Sequence, residues 1–381
     1  MPQKNGNDGE DAAMLNAPRS IVPHAGFNPT GKHWEELYRY LIPREPDRDR
    51  LPTLNKAWHR LFRQPAIFVA PQFDKIQPLG RHKLTASGAR SYQKTGNWCG
   101  ALVAPDSGAQ FVLMFGEWTV PELSEPPAAL RLHKNQADYH CVTWIGFDGD
   151  RRYFNASLPQ VGTEQVLTAK GTKCSAWFQW WSRDQVGLTA YNLNNVSIES
   201  GMTVMAMIWA YERDKVSVAF RASAPKAGEG QQDKLLIFSV DAPQVFLSKP
   251  GGQRGHPEVS GATAEWIMER PQTPQLENAS FLPFPQYKPV RFENCVVGSA
   301  PIRGHGPGAA QSRQACSEKL LVRPRLVRLF ESVPPDGSVE RTRLLSLTQQ
   351  VDPTTIEVRY CAGLTTPREV AELAMHRDKR P

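Results

Sequence analysis

From about Asn97 the apolar positions of the chain fall into short, dense runs. Ala101–Val103, Phe111–Val120, Tyr139–Phe147, Ser175–Trp181, Val196–Ile198, Thr203–Tyr211, Val216–Arg221, Lys234–Phe238 and Thr263–Met268 are rich in Val, Ile, Trp, Phe and Thr, with Gly, Pro, Asn or Asp at their ends. Branched and aromatic side chains suit a pleated surface, and the bounding residues supply turns. So many short strands predict an all-β fold, a two-sheet antiparallel β-sandwich. Between Val196 and Phe220 the pattern reads as strand, turn at Glu199–Gly201, long buried strand, turn at Arg213–Asp214, strand. The segment SLPQVG, 157–162, reads as a loop.

The flanks follow a different period. Trp34, Leu37, Tyr38 and Leu41 share one helical face, and Pro43 and Pro46 end that helix. Leu54, Trp58, Leu61 and Phe62 repeat the spacing. Residues 1–30 are polar and read as disordered. After Cys295 comes a Gly- and Pro-rich linker containing Gly304, Gly306 and Gly308. Residues 319–362 hold two or three apolar stretches of uncertain type, and Pro367–Arg377 reads as a terminal helix. The expected division is 1–90, a basic segment; 91–298, the sandwich; and 299–381, a linker with a mixed extension.

Charge sharpens that division. The net charge is +7, yet residues 1–95 hold 15 Lys+Arg against 9 Asp+Glu and the remainder 30 against 29. A basic segment can bind nucleic acid, dock on carboxylates of its own chain or simply be solvated. No apolar run approaches the roughly 18 residues of a membrane span. The first twenty residues lack the apolar centre of a secretory signal, which leaves location open. Six scattered cysteines without a CxxC pair predict free thiols and no zinc site. HExxH, GxSxG and Walker motifs are absent, the nine histidines show no metal-ligand spacing, and no cofactor is expected.

The candidate chemistry starts at Ala264-Glu265-Trp266-Ile267-Met268-Glu269. As a strand it places Glu265, Ile267 and Glu269 on one face, but separates the two carboxylates by about 13 Å. They cannot share a water, so a partner for either must come from another strand. The same segment closes an ordered series of short motifs. They are Asn97-Trp98-Cys99-Gly100-Ala101, Trp118-Thr119-Val120-Pro121, Trp144-Ile145-Gly146-Phe147-Asp148-Gly149, Leu158-Pro159-Gln160-Val161-Gly162 and Ala176-Trp177-Phe178-Gln179-Trp180, with Leu282-Pro283-Phe284 beyond the strand. In this series, over about 97–295, the chain resembles the glutamic peptidases, or eqolisins.

The resemblance implies a concanavalin-like jelly roll with a substrate groove on a curved sheet, and a polypeptide substrate. It implies an acid endopeptidase working without a covalent intermediate. Glu269 is the expected general base, and Gln160 the expected holder of the water and donor to the oxyanion. Trp98, Trp144, Asp148, Trp177, Gln179 and Glu265 are expected to line or brace the groove. The family's usual carboxylate is replaced at Gln179, which predicts a depressed pKa for the base and a lower or broader acid optimum. Glu164 stands where the family has Asp. Family precursors carry a basic propeptide, so residues 1–90 are expected to mask the groove until acid releases them. The competing readings are a weak or inactive module binding peptide or glycan on a Trp-lined face, and, less favoured, a nucleic-acid arm at the N-terminus.

Overall fold

The computed structural model describes residues 18–63, 66–76, 92–128, 138–150, 157–182, 190–224, 233–246, 254–255, 257–273, 280–302, 314–333 and 341–364. The expected helix at Pro367–Arg377, the glycines at 304, 306 and 308 and the first seventeen residues lie outside them. Two short helices, α1 (Trp34–Arg39) and α2 (Pro52–Phe62), open the described chain. The strands that follow are β1 (Ala66–Val69), β2 (Phe73–Lys75), β3 (Tyr92–Thr95), β4 (Trp98–Val103), β5 (Ala109–Thr119), β6 (Leu123–Ser124), β7 (Tyr139–Phe147), β8 (Ser157–Thr168), β9 (Gly171–Ser182), β10 (Ala190–Leu193), β11 (Thr203–Glu212), β12 (Lys215–Ser223) and β13 (Asp233–Asp241). Then come β14 (Val245–Phe246), β15 (Arg254–Gly255), β16 (Ala264–Glu269), β17 (Gln286–Tyr287), β18 (Val290–Pro301), β19 (Ser317–Lys319), β20 (Arg325–Val333), β21 (Arg341–Asp352) and β22 (Thr355–Leu364).

The ladders form one path that folds back on itself as a sandwich. One layer runs β1-β13-β12-β11-β5-β18, and β22, β21 and β20 carry the path to the other layer, β4-β16-β7-β8-β9-β10-β2. Apart from β1 on β13 and β3 on β20, these pairings are antiparallel. The core lies between the layers. Ile145, Phe147, Val161, Phe178, Trp180 and Trp266 meet Val204, Ala206, Ile208, Val218, Phe220 and Phe238. The Trp266 indole N–H crosses the gap to the Phe115 carbonyl at 3.0 Å. Alternation along each strand produces this: every second side chain faces the other layer.

Three details differ from the sequence reading. Val196–Ile198 is no strand. Its neighbours hydrogen-bond to Gln72 and Val120 instead of a ladder, while Val196 and Ile198 stay buried in the core. The segment around Gln160 is no loop but lies in the twelve-residue strand β8. Pro159 is tolerated there because the ladder to β7 ends at Gly146↔Gln160, one residue short of it. The sheet also does not stop at 298: β18 spans that position, and β20 to β22 complete the sandwich.

The outer face of the β5, β11, β12 and β13 layer is apolar too, and the N-terminal segment covers it. Leu54, Trp58, Leu61 and Phe62 of α2 pack with Leu113, Phe115, Met205, Met207, Trp209, Leu235 and Ile237. Glu318 caps α2 from β19, accepting the Thr53 and Leu54 N–H groups at 3.0 Å each. Arg60 clasps Glu117 through two 2.6 Å hydrogen bonds. β1 and β2 then extend opposite layers, on β13 and β10. The two helices and β1 therefore lie with the layer away from the motif-bearing strands, whereas β2 extends the edge of the motif-bearing layer. The helices bury their apolar faces against a sheet surface that would otherwise face water, and residues 1–17 and 77–90 of the expected mask lie outside the described residues. Trp58→Ala is expected to destabilise the whole sandwich by about 3–5 kcal/mol in urea unfolding. An unchanged midpoint would mean that the segment is not part of the folded unit.

Candidate active site

The strands β4, β16, β7, β8 and β9 are adjacent, and their registers decide which side chains meet. Leu102 pairs with Glu265, Glu265 with Gly146, Gly146 with Gln160, and Gln160 with Gln179. Cross-strand partners point to the same side, so these residues form one rung on the outer face of this layer. The neighbouring rung is Gly100, Ile267, Trp144, Gly162 and Trp177. Glu269 lies one rung further, opposite Trp98 and Val142.

The registers set the expected pair apart along the strands. Gln160 shares its rung with Glu265, whereas Glu269 is four residues further along β16, about 13 Å at strand rise. Glu265 and Gln160 face each other across Gly146, which has no side chain to separate them. A Cβ at Gly146 would lie 2.9 Å from the Pro159 carbonyl and 3.0 Å from the Gln160 Cβ. Gly146→Ala is accordingly expected to push Gln160 out of line and lower kcat/KM at least tenfold. Unchanged kinetics would show that nothing passes between the two residues.

Gln160 is fully buried, and neither its amide oxygen nor its amide nitrogen has a hydrogen-bond partner. Leaving such a group unpaired costs about 1–3 kcal/mol, so proteins keep few of them. Several share the outer face of this layer: the Trp98 indole N–H, the Gln179 amide oxygen and one Glu265 carboxylate oxygen are also buried without a partner. The other Glu265 oxygen accepts the Gly149 N–H at 3.0 Å. Burial holds the Glu265 pKa well above the ordinary carboxylate range, and the charges of Asp148 and Asp150 push the same way.

Asp148 braces the groove from behind. Its backbone is left-handed, with φ 63°. Its carboxylate accepts N–H groups from Ser260, Gly261 and Ala262 and the Ser260 hydroxyl, at 2.6–3.2 Å. Burial raises its pKa against these hydrogen bonds. Trp98, Trp144 and Trp177 form the apolar wall with Ile267 and Leu158. Trp98 meets Trp144 edge-on, with ring centroids 5.0 Å apart. Glu269 accepts the Trp144 indole N–H at 2.8 Å, so it orients the wall. Glu164 is opposite Val142, level with Glu269 and away from the Gln160 rung.

Gln179 adjoins Gln160, not Glu269. The expected depression of the Glu269 pKa rested on a missing charge at position 179, and Gln179 lies in the rung of Glu265 and Gln160. Sequence reading also passed over Gly146, Gly149 and Asp150, although the Gly-x-x-Gly spacing in Trp144–Gly149 marks close backbone approach. All six cysteines are free, with Cys99, Cys141, Cys295 and Cys361 buried. Among the described residues no group of His, Cys, Asp and Glu is placed to hold a metal, and no helix is long and apolar enough to cross a membrane.

Solved structures similar to this chain include scytalido-glutamic peptidase with a transition state analog inhibitor, at 17% identity over 70% of this chain and 98% of that one, TM-score 0.45. Another is SCP-B, a member of the eqolisin family of peptidases, in a complex with the tripeptide Ala-Ile-His, at 17% identity over 70% and 98%, TM-score 0.42. A third is aspergilloglutamic peptidase from Aspergillus niger, at 18% identity over 58% and 99%, TM-score 0.34. No curated protein matches significantly. Residues 96–311, more than half of the sequence and including every residue of the Glu265–Gln160 rung from Leu102 to Gln179, match the model of the peptidase A4 family, and the chain belongs to that family.

Proposed function

We propose that this peptidase cleaves internal peptide bonds by means of a water activated by Glu265 and oriented by Gln160. The observation that carries the reading is the shared rung. A buried carboxylate with one unpartnered oxygen faces a buried amide with none of its hydrogen bonds made, across a glycine. Ionised Glu265 takes a proton from water as the water oxygen bonds to the substrate carbonyl carbon. The Gln160 amide N–H donates to the oxygen that gains the negative charge. Glu265 then returns the proton to the amide nitrogen, the C–N bond breaks, and the products are an acid and an amine. No bond forms between enzyme and substrate.

A base with a raised pKa is a stronger base, and it works best near that pKa. The acid limb of the pH–rate profile therefore belongs above the ordinary glutamate range. The test is digestion of casein or a peptide from pH 2 to 7, wild type beside Glu265→Gln and Glu269→Gln. Loss of activity in Glu269→Gln with Glu265→Gln still active would return the base to Glu269. The family match does not favour a weak or inactive binding module.

A further inference from the structure

The rung that holds Glu265 and Gln160 continues past β4. β20 adds Arg325 opposite Leu102. Two residues on, Val327 joins Trp98, Trp144 and Ile267 in the apolar wall. Strand alternation thus places Arg325 on the groove face. Its Nη1 ion-pairs with the Asp150 carboxylate. The Asp150 side chain is 0% exposed, whereas that of Arg325 is 31% exposed. A guanidinium carries five N–H donors in a rigid fork, so the bond to Asp150 anchors the arm and leaves further donors on its outer edge. The other members of the rung besides Glu265 are Leu102, Gly146, Gln160 and Gln179, none of which ionises. Arg325 is the permanent charge of the rung, and it comes from beyond the family match, which ends at 311.

We propose that Arg325 is a specificity-determining residue that takes a carboxylate of the substrate at the β20 end of the groove. Paired guanidinium and carboxylate groups form strong, directional hydrogen bonds. Three strand spacings of about 4.8 Å separate Arg325 from Gly146. An extended substrate advances about 3.3–3.6 Å per residue. Allowing for the long arginine side chain, the bound carboxylate lies about two or three residues from the scissile bond. It is supplied either by an Asp or Glu side chain or by the C-terminus of a short peptide. The inference rests on the groove assigned above.

The experiment compares apolar peptides at about pH 5 that differ in one group: Glu against Gln at each of the three positions on either side of the cleaved bond, and a free against an amidated C-terminus. Wild type is expected to prefer one carboxylate-bearing peptide at least tenfold in kcat/KM. Arg325→Gln is expected to bring that ratio within twofold, whatever the rate on the neutral peptide. Arg325→Lys retains part of the preference. A side-chain effect identifies internal acidic residues as the source, and an effect of amidation identifies the terminus. Because Arg325→Gln removes one ion pair of Asp150, the double variant Asp150→Asn/Arg325→Gln is measured too; a ratio within one variant does not depend on the fraction folded. Binding of the same peptides to Glu265→Gln keeps the test independent of turnover. Equal handling of charged and neutral peptides by wild type, or a preference that survives Arg325→Gln, overturns the proposal. Failure of the catalytic reading shows instead as undiminished cleavage by Glu265→Gln.

Discussion

Glu265→Gln is expected to lower kcat/KM by about three orders of magnitude or more, and Glu269→Gln by less than about tenfold, at every pH from 2 to 7. The first figure is the scale of a positioned acid–base group. Gln is isosteric with Glu and keeps an oxygen for the Gly149 N–H, so the loss reports proton transfer, not a collapsed groove. Glu269→Gln also keeps an acceptor for the Trp144 indole N–H, and the aromatic wall stays in place. Gln160→Ala belongs between the two, because an amide donor to developing negative charge contributes about 10²–10³. The three variants form a pattern that neither a general loss of stability nor a single mis-set side chain reproduces. Equal losses in Glu265→Gln and Glu269→Gln would mean that the two carboxylates act as a unit, and the rung would lose its meaning as the catalytic axis.

How much of the candidate site was legible in the sequence? The strand Ala264–Glu269 is legible because Trp266, Ile267 and Met268 form a dense apolar run, and strand alternation puts both carboxylates on one face. Choosing between them needs register, a long-range quantity. It depends on where β7 starts against β16 and where β8 starts against β7, and a slip of two residues leaves every side chain on the same face. Local patterning cannot resolve such a slip. Gln160 was harder still, since Pro159 and Gly162 imitate a turn. Only the end of the β7 ladder makes a proline acceptable there. The N-terminal helices were legible from spacing, but their address was not. An amphipathic face states that it will be buried, not against which surface, and the far sheet offered the apolar area. The C-terminal strands went unread beyond "apolar stretches", because β20 to β22 are integrated by ladders to β18 and β4 that no local signal announces. That is also why Arg325, more than 150 residues from Gln160 in sequence, is absent from any motif-based site.

The same buried carboxylate should make the folded protein most stable in mild acid, and Glu265→Gln should erase much of that preference. The folded-state pKa of Glu265 is raised well above its unfolded value of about 4.5 by burial, with Asp148 and Asp150 adding to the shift. Between the unfolded and the folded pKa the native state holds a proton that the unfolded chain has released. Stability therefore falls as pH rises through that window, by at most about 1.4 kcal/mol per pH unit for one group. Asp148, also raised by burial, adds to the decline over a narrower range. Asp352 works in the opposite sense. Its pKa is lowered by hydrogen bonds from Thr354 and Thr355, although partial burial opposes them, so its contribution is present above the ordinary aspartate value and lost in stronger acid. The two trends oppose each other, the Glu265 contribution being lost as pH rises and the Asp352 contribution as pH falls. Chemical unfolding across pH 3–8 measures this directly. Glu265→Gln is expected to gain on wild type as pH rises from 3 to 8, while being the variant that has lost catalysis. Parallel curves for the two proteins would show that Glu265 titrates normally, and would remove the physical basis for calling it a tuned base.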